Sequence, residues 1–380
     1  MKDLTLFWFR RDLRLADNLA LTTASSDHHV AAIYIYDPEI ILKPDFSYFH
    51  IDFINDSLRE LEREFLSKGS RLNIFHNHSI EVLKTINDHF SIKKLISHKR
   101  TGNWASYNRD KNISTYCKQH GIKWLEFQNN GVIRNLHTRD GWSKKWNENM
   151  RKTILKVPDI SKFIPLKDDS GILSNDQLGI KKIHYEKLYH GGESKAGITL
   201  NSFLNNRGQY YSKRMSSPLS AFSSCSRLSS YITYGNISIK QILNETTNRQ
   251  TYLRENKIRT GWLKSLSSFS SRLRWHCHFI QKLEMQPNLE FTNMVQSFEK
   301  IRTHFDKDLF IRWTSGTTGY PMVDACMRSL KSNGWINFRM RAMLVSFASY
   351  NLWIDWRKTS TYLSKYFIDY EPGIHFNQFQ

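Results

Sequence analysis

Cysteine is scarce. Cys117, Cys225, Cys277 and Cys326 are the only four in 380 residues, and none forms a Cys-x-x-Cys pair. Their scatter argues against a zinc site or a disulfide framework, and no metal is expected. Long apolar runs are also missing. No stretch of about twenty apolar residues could cross a bilayer. Phe7-Trp8-Phe9 is followed at once by Arg10-Arg11-Asp12, which is not the core of a signal peptide. No membrane association and a cytoplasmic location are the expectations. There is no Gly-x-Gly-x-x-Gly, so the usual dinucleotide grip is not indicated. Carboxylates are few: 35 Asp and Glu stand against 55 Lys and Arg, for a net charge of +20. That excess favours a polyanionic partner.

What is present fits a globular protein with room for two domains: 40% hydrophobic and 24% charged residues. Residues 1–135 alternate short apolar runs (4–9, 30–36, 72–75 and 95–97) with helical stretches such as 53–65. Continuous apolar strands imply a doubly wound parallel sheet covered on both faces, an α/β domain with sites at the strands' carboxyl ends. Residues 136–190 read as a basic connector marked by Pro158, Pro165 and Gly171. From 191 to 380 the pattern is all-α.

The densest chemistry lies in 313–380. Gly316, Gly319 and Pro321 are turn punctuation, and Pro321 suits a first helical turn. Val323, Met327 and Leu330 recur at helical spacing, with Gly334 as the stop. A second helical pattern runs through Arg339, Arg341, Met343, Leu344, Phe347 and Ile354 to Asp355-Trp356-Arg357. Asn337 and Arg341, four apart, are expected on one face of it. Asp369, Glu371 and His375 then fall in a short segment read as non-helical. Spacing alone also suits a helix pair with an apolar core and a solvated basic face.

Order and spacing carry more. Trp313-x-x-Gly-x-Thr-Gly-Tyr-Pro-x-Val-Asp324-Ala-x-Met-Arg328, a following Gly-Trp, Arg339-x-Arg341, Asp355-Trp-Arg and an acidic pair resemble the flavin-binding signature of DNA photolyases and cryptochromes. Trp8-Phe-Arg-Arg-Asp-Leu-Arg-Leu-x-Asp-Asn18 resembles the opening of the same family. The resemblance implies an α/β antenna domain and a helical domain holding a U-shaped FAD. It also implies an antenna chromophore, a folate or a deazaflavin. No residue matches an antenna contact, and 101–110 lacks the acidic residue of folate-binding members. One branch of the family carries an iron–sulfur cluster; only three cysteines fall in the helical region here, so that cluster is not expected.

For the cofactor, the resemblance points to Tyr210 and to Cys225-Ser226-Arg227-Leu228-Ser229 as the phosphate-binding turn. Hydroxyl residues ahead of a helix would cap its free N–H groups, where a pyrophosphate is also attracted; a plain capping box gives the same pattern. Here Cys225 stands for a Thr and Ser230 for a Pro. Arg341 and Asp369 would pair over the flavin ring, with Tyr370 beside them. Glu371 would accept from the flavin or ribose edge, and His375 replaces an Asn near flavin N5. For DNA, Trp275 would stack on the lesion beside His276 and Phe338. Arg214 and Arg339 would grip phosphates. Arg272 replaces a Glu that accepts from the damaged bases, which a cation cannot do.

Trp356 matches the middle tryptophan of the family's photoreduction chain, whereas Phe379 replaces the flavin-proximal one. Trp275, Arg341 and Trp356 are thus the candidate catalytic residues. The shorter C-terminus would reduce FAD affinity. The implied function is light-driven electron transfer from reduced FAD that splits pyrimidine dimers in UV-damaged DNA, by a monomeric protein. A light sensor without repair activity, or an inert remnant, are the rivals.

Overall fold

Strand β1 (Asp3–Phe9) explains the first half of the chain. Its side chains alternate, as a strand requires. Phe7 and Phe9 enter one apolar core, and Leu4, Leu6 and Trp8 enter another. Strand β2 (Val30–Tyr36) divides the same way, with Ala32, Tyr34 and Tyr36 on one side and Ala31, Ile33 and Ile35 on the other. A strand buried on both faces must be apolar throughout, and these are. With β3 (Leu72–His76), β4 (Ser91–His98) and β5 (Lys123–Phe127) they form a parallel sheet ordered β3-β2-β1-β4-β5. Winding reverses between β1 and β4, where Phe7 pairs with Ala32 on one side and Ile96 on the other. The computed structural model describes residues 1–181, 185–258 and 260–380.

The connector is packed rather than loosely draped. It holds the helix Trp142–Met150, and Phe163 bridges to Val30 at the sheet. Asp169 accepts from the backbone of Ile74 at 2.9 Å. Residues 182–184 of the connector lie outside the described residues.

The second half is helical, and two local expectations change. The pattern over 339–357 is not one helix. It is the helix Phe338–Ser346, a π turn Phe347–Asn351, a break with Trp353 at φ 54°, and a new helix Trp356–Ser364. Asp355 starts the last by accepting from Arg357 N at 2.8 Å, an N-cap that ends any continuity. Asn337 is the N-cap residue of Phe338–Ser346, one position before the helix, and its carbonyl accepts from Arg341 N at 3.1 Å, so the two stay on one side as expected. His375 is helical, within Pro372–Phe379, because Pro372 pre-sets the first turn.

The halves are joined closely. Gly334 (φ 77°) ends the helix Pro321–Asn333, and a Cβ there would meet the Phe49 ring at 2.9 Å. His50 Nε2 lies 2.9 Å from the Phe367 carbonyl, and Ser47 Oγ donates to the Lys365 carbonyl at 2.5 Å. No described helix is long and apolar enough to cross a membrane.

Candidate cofactor cavity

A cavity of about 320 Å³ opens between Trp262–Met285, Phe338–Ser346, Pro372–Phe379 and the turn before the short helix Ser229–Thr233. That is the size class of a small-molecule site. Cys225, Ser226, Arg227, Ser229, Arg341, Asp369, Tyr370, Glu371 and His375 line it, with Arg272, Trp275, His276, Phe338 and Arg339. Residues far apart in sequence therefore converge on one space.

Four expected residues sit elsewhere. Tyr210 is 44% exposed and carries the Arg214 guanidinium 4.8 Å over its ring; Tyr211, its buried neighbour, lines the cavity instead. The chain passes from a 3-10 segment into a short helix between the two, and only Tyr211 is buried. Arg214 is exposed and outside the cavity. Leu228 is fully buried in the core, and Trp356 is buried behind the wall with Nε1 donating to Asn293 Oδ1 at 2.5 Å. The expected hydroxyl cap is not made either. The residue ahead of Ser229–Thr233 is Leu228, whose side chain has no acceptor and makes no cap hydrogen bond.

Arg341 and Asp369 form a two-pronged pair, Nη1–Oδ1 at 2.9 Å and Nη2–Oδ2 at 2.8 Å. Arg341 Nε donates to the Ile336 carbonyl at 2.8 Å, and the guanidinium lies 4.3 Å over Phe367. The fork is therefore held on three sides, and its charge is fixed in the wall. Arg227 is held differently. It adopts φ 62°, a left-handed conformation that costs a non-glycine residue about 1 kcal/mol or more. Its guanidinium sits 4.6–5.0 Å from the rings of Trp335, Tyr189 and Phe222, and Nη1 donates to the Phe222 carbonyl at 2.8 Å. Tyr189 and Phe222 carry no motif, so sequence reasoning passed over this cage. Asn337, also in the wall, donates to the Met215 carbonyl at 3.0 Å.

Burial sets the titration of the wall. It pushes His276 and His375 down to about 4, against the pull of Asp369 on the first and of the Ser360 carbonyl on the second. His375 Nε2 lies 2.9 Å from that carbonyl, so the neutral ring donates there and Nδ1 is the acceptor. Burial also raises the Cys225 thiol to about 11, leaving a weak neutral donor. Glu371 is raised by burial, with Arg11 opposing. Among the described residues, Arg227 Nε, Glu371 Oε1 and both ring nitrogens of His276 are buried without a hydrogen-bond partner. Each such group costs about 1–3 kcal/mol if nothing pairs with it. A polar ligand rich in donors and acceptors fits this wall, and FAD is such a ligand.

A second, far smaller space of about 30 Å³ lies at the carboxyl ends of β1 and β4. Arg10 lines it, held by Asp110 at 2.6 Å and Glu126 at 2.8 Å and flanked by Trp8 and Trp124.

The model for the FAD binding domain of DNA photolyase matches residues 269–380, and the DNA photolyase model matches residues 5–150. The deoxyribodipyrimidine photo-lyase of Synechococcus sp. is 23% identical, over 96% of this chain and 78% of its own length. The cryptochrome DASH of Idiomarina loihiensis is 23% identical, over 99% and 85%. Among solved structures, the archaeal photolyase from Sulfolobus tokodaii, described with two FAD molecules, has a TM-score of 0.79 at 25% identity. That match covers 99% of this chain and 82% of that one.

Proposed function

This chain belongs to the DNA photolyase and cryptochrome family, and from that premise we propose that it is a light-driven repair flavoprotein acting on pyrimidine dimers in UV-damaged DNA. The observation that carries the reading is the rim of the cavity. Trp275 and Phe338, each 48% exposed, present aromatic faces there, with Arg272 and Arg339 beside them. Stacking surfaces next to cations are what an unstacked base and its phosphates need.

The chemistry that FAD supplies when bound is light-driven one-electron transfer. Arg341, fixed by Asp369 in the cavity wall, would hold positive charge against the flavin ring. The turn at Cys225–Ser229 and the caged Arg227 take the phosphates. Tyr370, Glu371 and His375 orient the ring edges, Glu371 as an acceptor and His375 through Nδ1. Trp275, His276 and Phe338 receive the damaged bases, and Arg339 and Arg214 hold the DNA backbone. Trp356 lies behind the wall as the oxidisable ring a relay would draw on, with Phe379 interrupting its path to the cavity. The protein acts in the cytoplasm as a monomer, for which light scattering should give 45.0 kDa. The space at the ends of β1 and β4 does not fit a folate or deazaflavin ring, so no light-harvesting step is assigned to it.

The test is loss of dimers from UV-irradiated DNA under blue light after chemical reduction of the protein. Light-dependent loss supports repair. A yellow protein that leaves dimers intact supports a light sensor, a reading favoured by Arg272, which stands where the resembled family has an acceptor for the bases and whose guanidinium lies 4.9 Å over Trp275. A colourless protein that takes up no FAD overturns both.

A further inference from the structure

The reversal of winding between β1 and β4 creates a crevice outside the strands' carboxyl ends, the place where open α/β sheets bind ligands. In this chain that crevice is cationic. Arg10 and Arg11 line it just beyond β1, and Lys99 and Arg100 just beyond β4. Thr233, His276 and Glu371 line both it and the larger cavity, so they stand as the partition between the two.

The cations are unequally matched. Arg10 is neutralised by Asp110 and Glu126, and Arg11 by Glu371 at 2.8 Å. Arg100 has no carboxylate in ion-pair range among the described residues, and its Nε is sealed from solvent with no hydrogen-bond partner. Burial drives its pKa well down, and Arg109, Arg11 and Arg10 push the same way, with Asp110 opposing. A guanidinium does not give up its proton in a protein. The repulsion therefore stays as unmatched positive potential, and an anion would remove it. Size limits which anion. About 30 Å³ holds roughly two waters, at 10–15 Å³ each. A nucleotide or a chromophore is too large.

We propose that this crevice binds one compact inorganic anion of the chloride class, held by Arg100 and Lys99 at the junction of the two halves. Glu371 Oε1, on the helical side, repels an anion and so directs it towards the β4 side. With Arg10 and Arg11 paired, Arg14, Lys99 and Arg100 remain in the lining. Arg14 commits its guanidinium to the Ala16, Asp17 and Gly235 carbonyls and to Asn129. The bound anion therefore offsets part of the remaining charge, on the Arg100 and Lys99 side, and strengthens the docking of one half on the other.

The experiment is thermal unfolding of the purified full chain at constant ionic strength, with sodium gluconate exchanged stepwise for sodium chloride or bromide. Gluconate is too bulky to enter. Chloride and bromide should raise Tm along a single-site saturation curve. Arg100→Gln should abolish that rise and, in gluconate, melt at or above the wild type, because a repelled cation is gone. Crystals grown in bromide should show one anomalous peak between Arg100 and Lys99. Equal Tm in all three salts overturns the proposal. So does an unchanged chloride response in Arg100→Gln, or a crevice without bromide. If Arg100→Gln fails to fold, Lys99→Gln should raise the half-saturating chloride concentration several-fold, and no change there counts against the site.

Discussion

Arg11, two residues past the end of β1, donates through Nη1 to Glu371 Oε2 at 2.8 Å and so ties the sheet to the wall of the cofactor cavity across 360 positions of sequence. Both side chains are largely withdrawn from water, at 14% and 6% exposure. Taking away one partner leaves the other charge buried and unmatched, which costs about 3–5 kcal/mol. Arg11→Met should lower unfolding stability by that order, and Arg11→Met with Glu371→Leu should recover much of it. Urea unfolding of the two variants checks this; equal losses in both would show that the pair does not interact as described.

Glu290 gives a pH dependence of definite sign. Burial pushes it up to about 7, Asp45 adds to the rise, and the Trp104 N–H bonded to it at 2.6 Å opposes. Its folded value lies above the unfolded one near 4.5. The folded state therefore holds a proton that the unfolded state has lost. That contribution to stability is complete below about pH 4.5 and disappears as pH rises through about 7. Glu290→Gln keeps an acceptor for Trp104 N–H without a charge. Its advantage over the wild type should be small at pH 5 and grow to pH 8, as urea midpoints will show. A constant difference would rule out this titration.

The rim residues should divide into positioning and reading. Arg339→Ala should weaken binding to damaged and undamaged DNA alike and reduce the salt slope by about 1. Trp275→Ala should instead erode the preference for damaged DNA, by roughly 1–3 kcal/mol if a base stacks there. Filter binding at several salt concentrations measures both. A Trp275 variant that loses affinity for both DNAs equally would make it a general contact.

Much of this was legible because the chemistry is clustered in sequence. β1 and β2 show as apolar runs because both their faces are covered. The turn at 225–229 and the pair Arg341–Asp369 lie in continuous motifs. What was hidden depends on tertiary contact. Nothing local distinguishes Tyr211 from Tyr210; the side that faces the cavity is set by one short turn. The Tyr189 and Phe222 rings that hold Arg227 come from separate segments. The break at 352–355 was masked because Phe347 and Ile354 are both buried, so apolar spacing runs on across a backbone that has stopped being helical. The segment holding Asp369, Glu371 and His375 is too short to show helical spacing, yet Pro372 begins a helix there.

Phe379 should limit how readily the bound flavin is reduced by light. Its ring lines the cavity, is nearly buried, and lies 4.7 Å from the His375 ring. Trp356 is the next oxidisable ring suggested by the motif, and it stands behind Phe376, with 6.3 Å between their centroids. Phenylalanine is much harder to oxidise than tryptophan, so an electron from Trp356 has no relay at the wall. Photoreduction of oxidised FAD should therefore be slow, even with an external reductant. Phe379→Trp should speed it markedly. The competing route is Trp353. It is 48% exposed, lies 4.6 Å under the Arg302 guanidinium, and sits in the break between helices rather than one helical turn from Trp356. A neighbouring cation makes an indole harder to oxidise, which weighs against that route. Flavin absorbance under blue light should separate the cases in the wild type, Phe379→Trp and Trp353→Phe. Fast reduction in the wild type that vanishes in Trp353→Phe would assign the relay to Trp353. Slow reduction rescued by Phe379→Trp, with Trp353→Phe unchanged from the wild type, assigns the missing step to position 379.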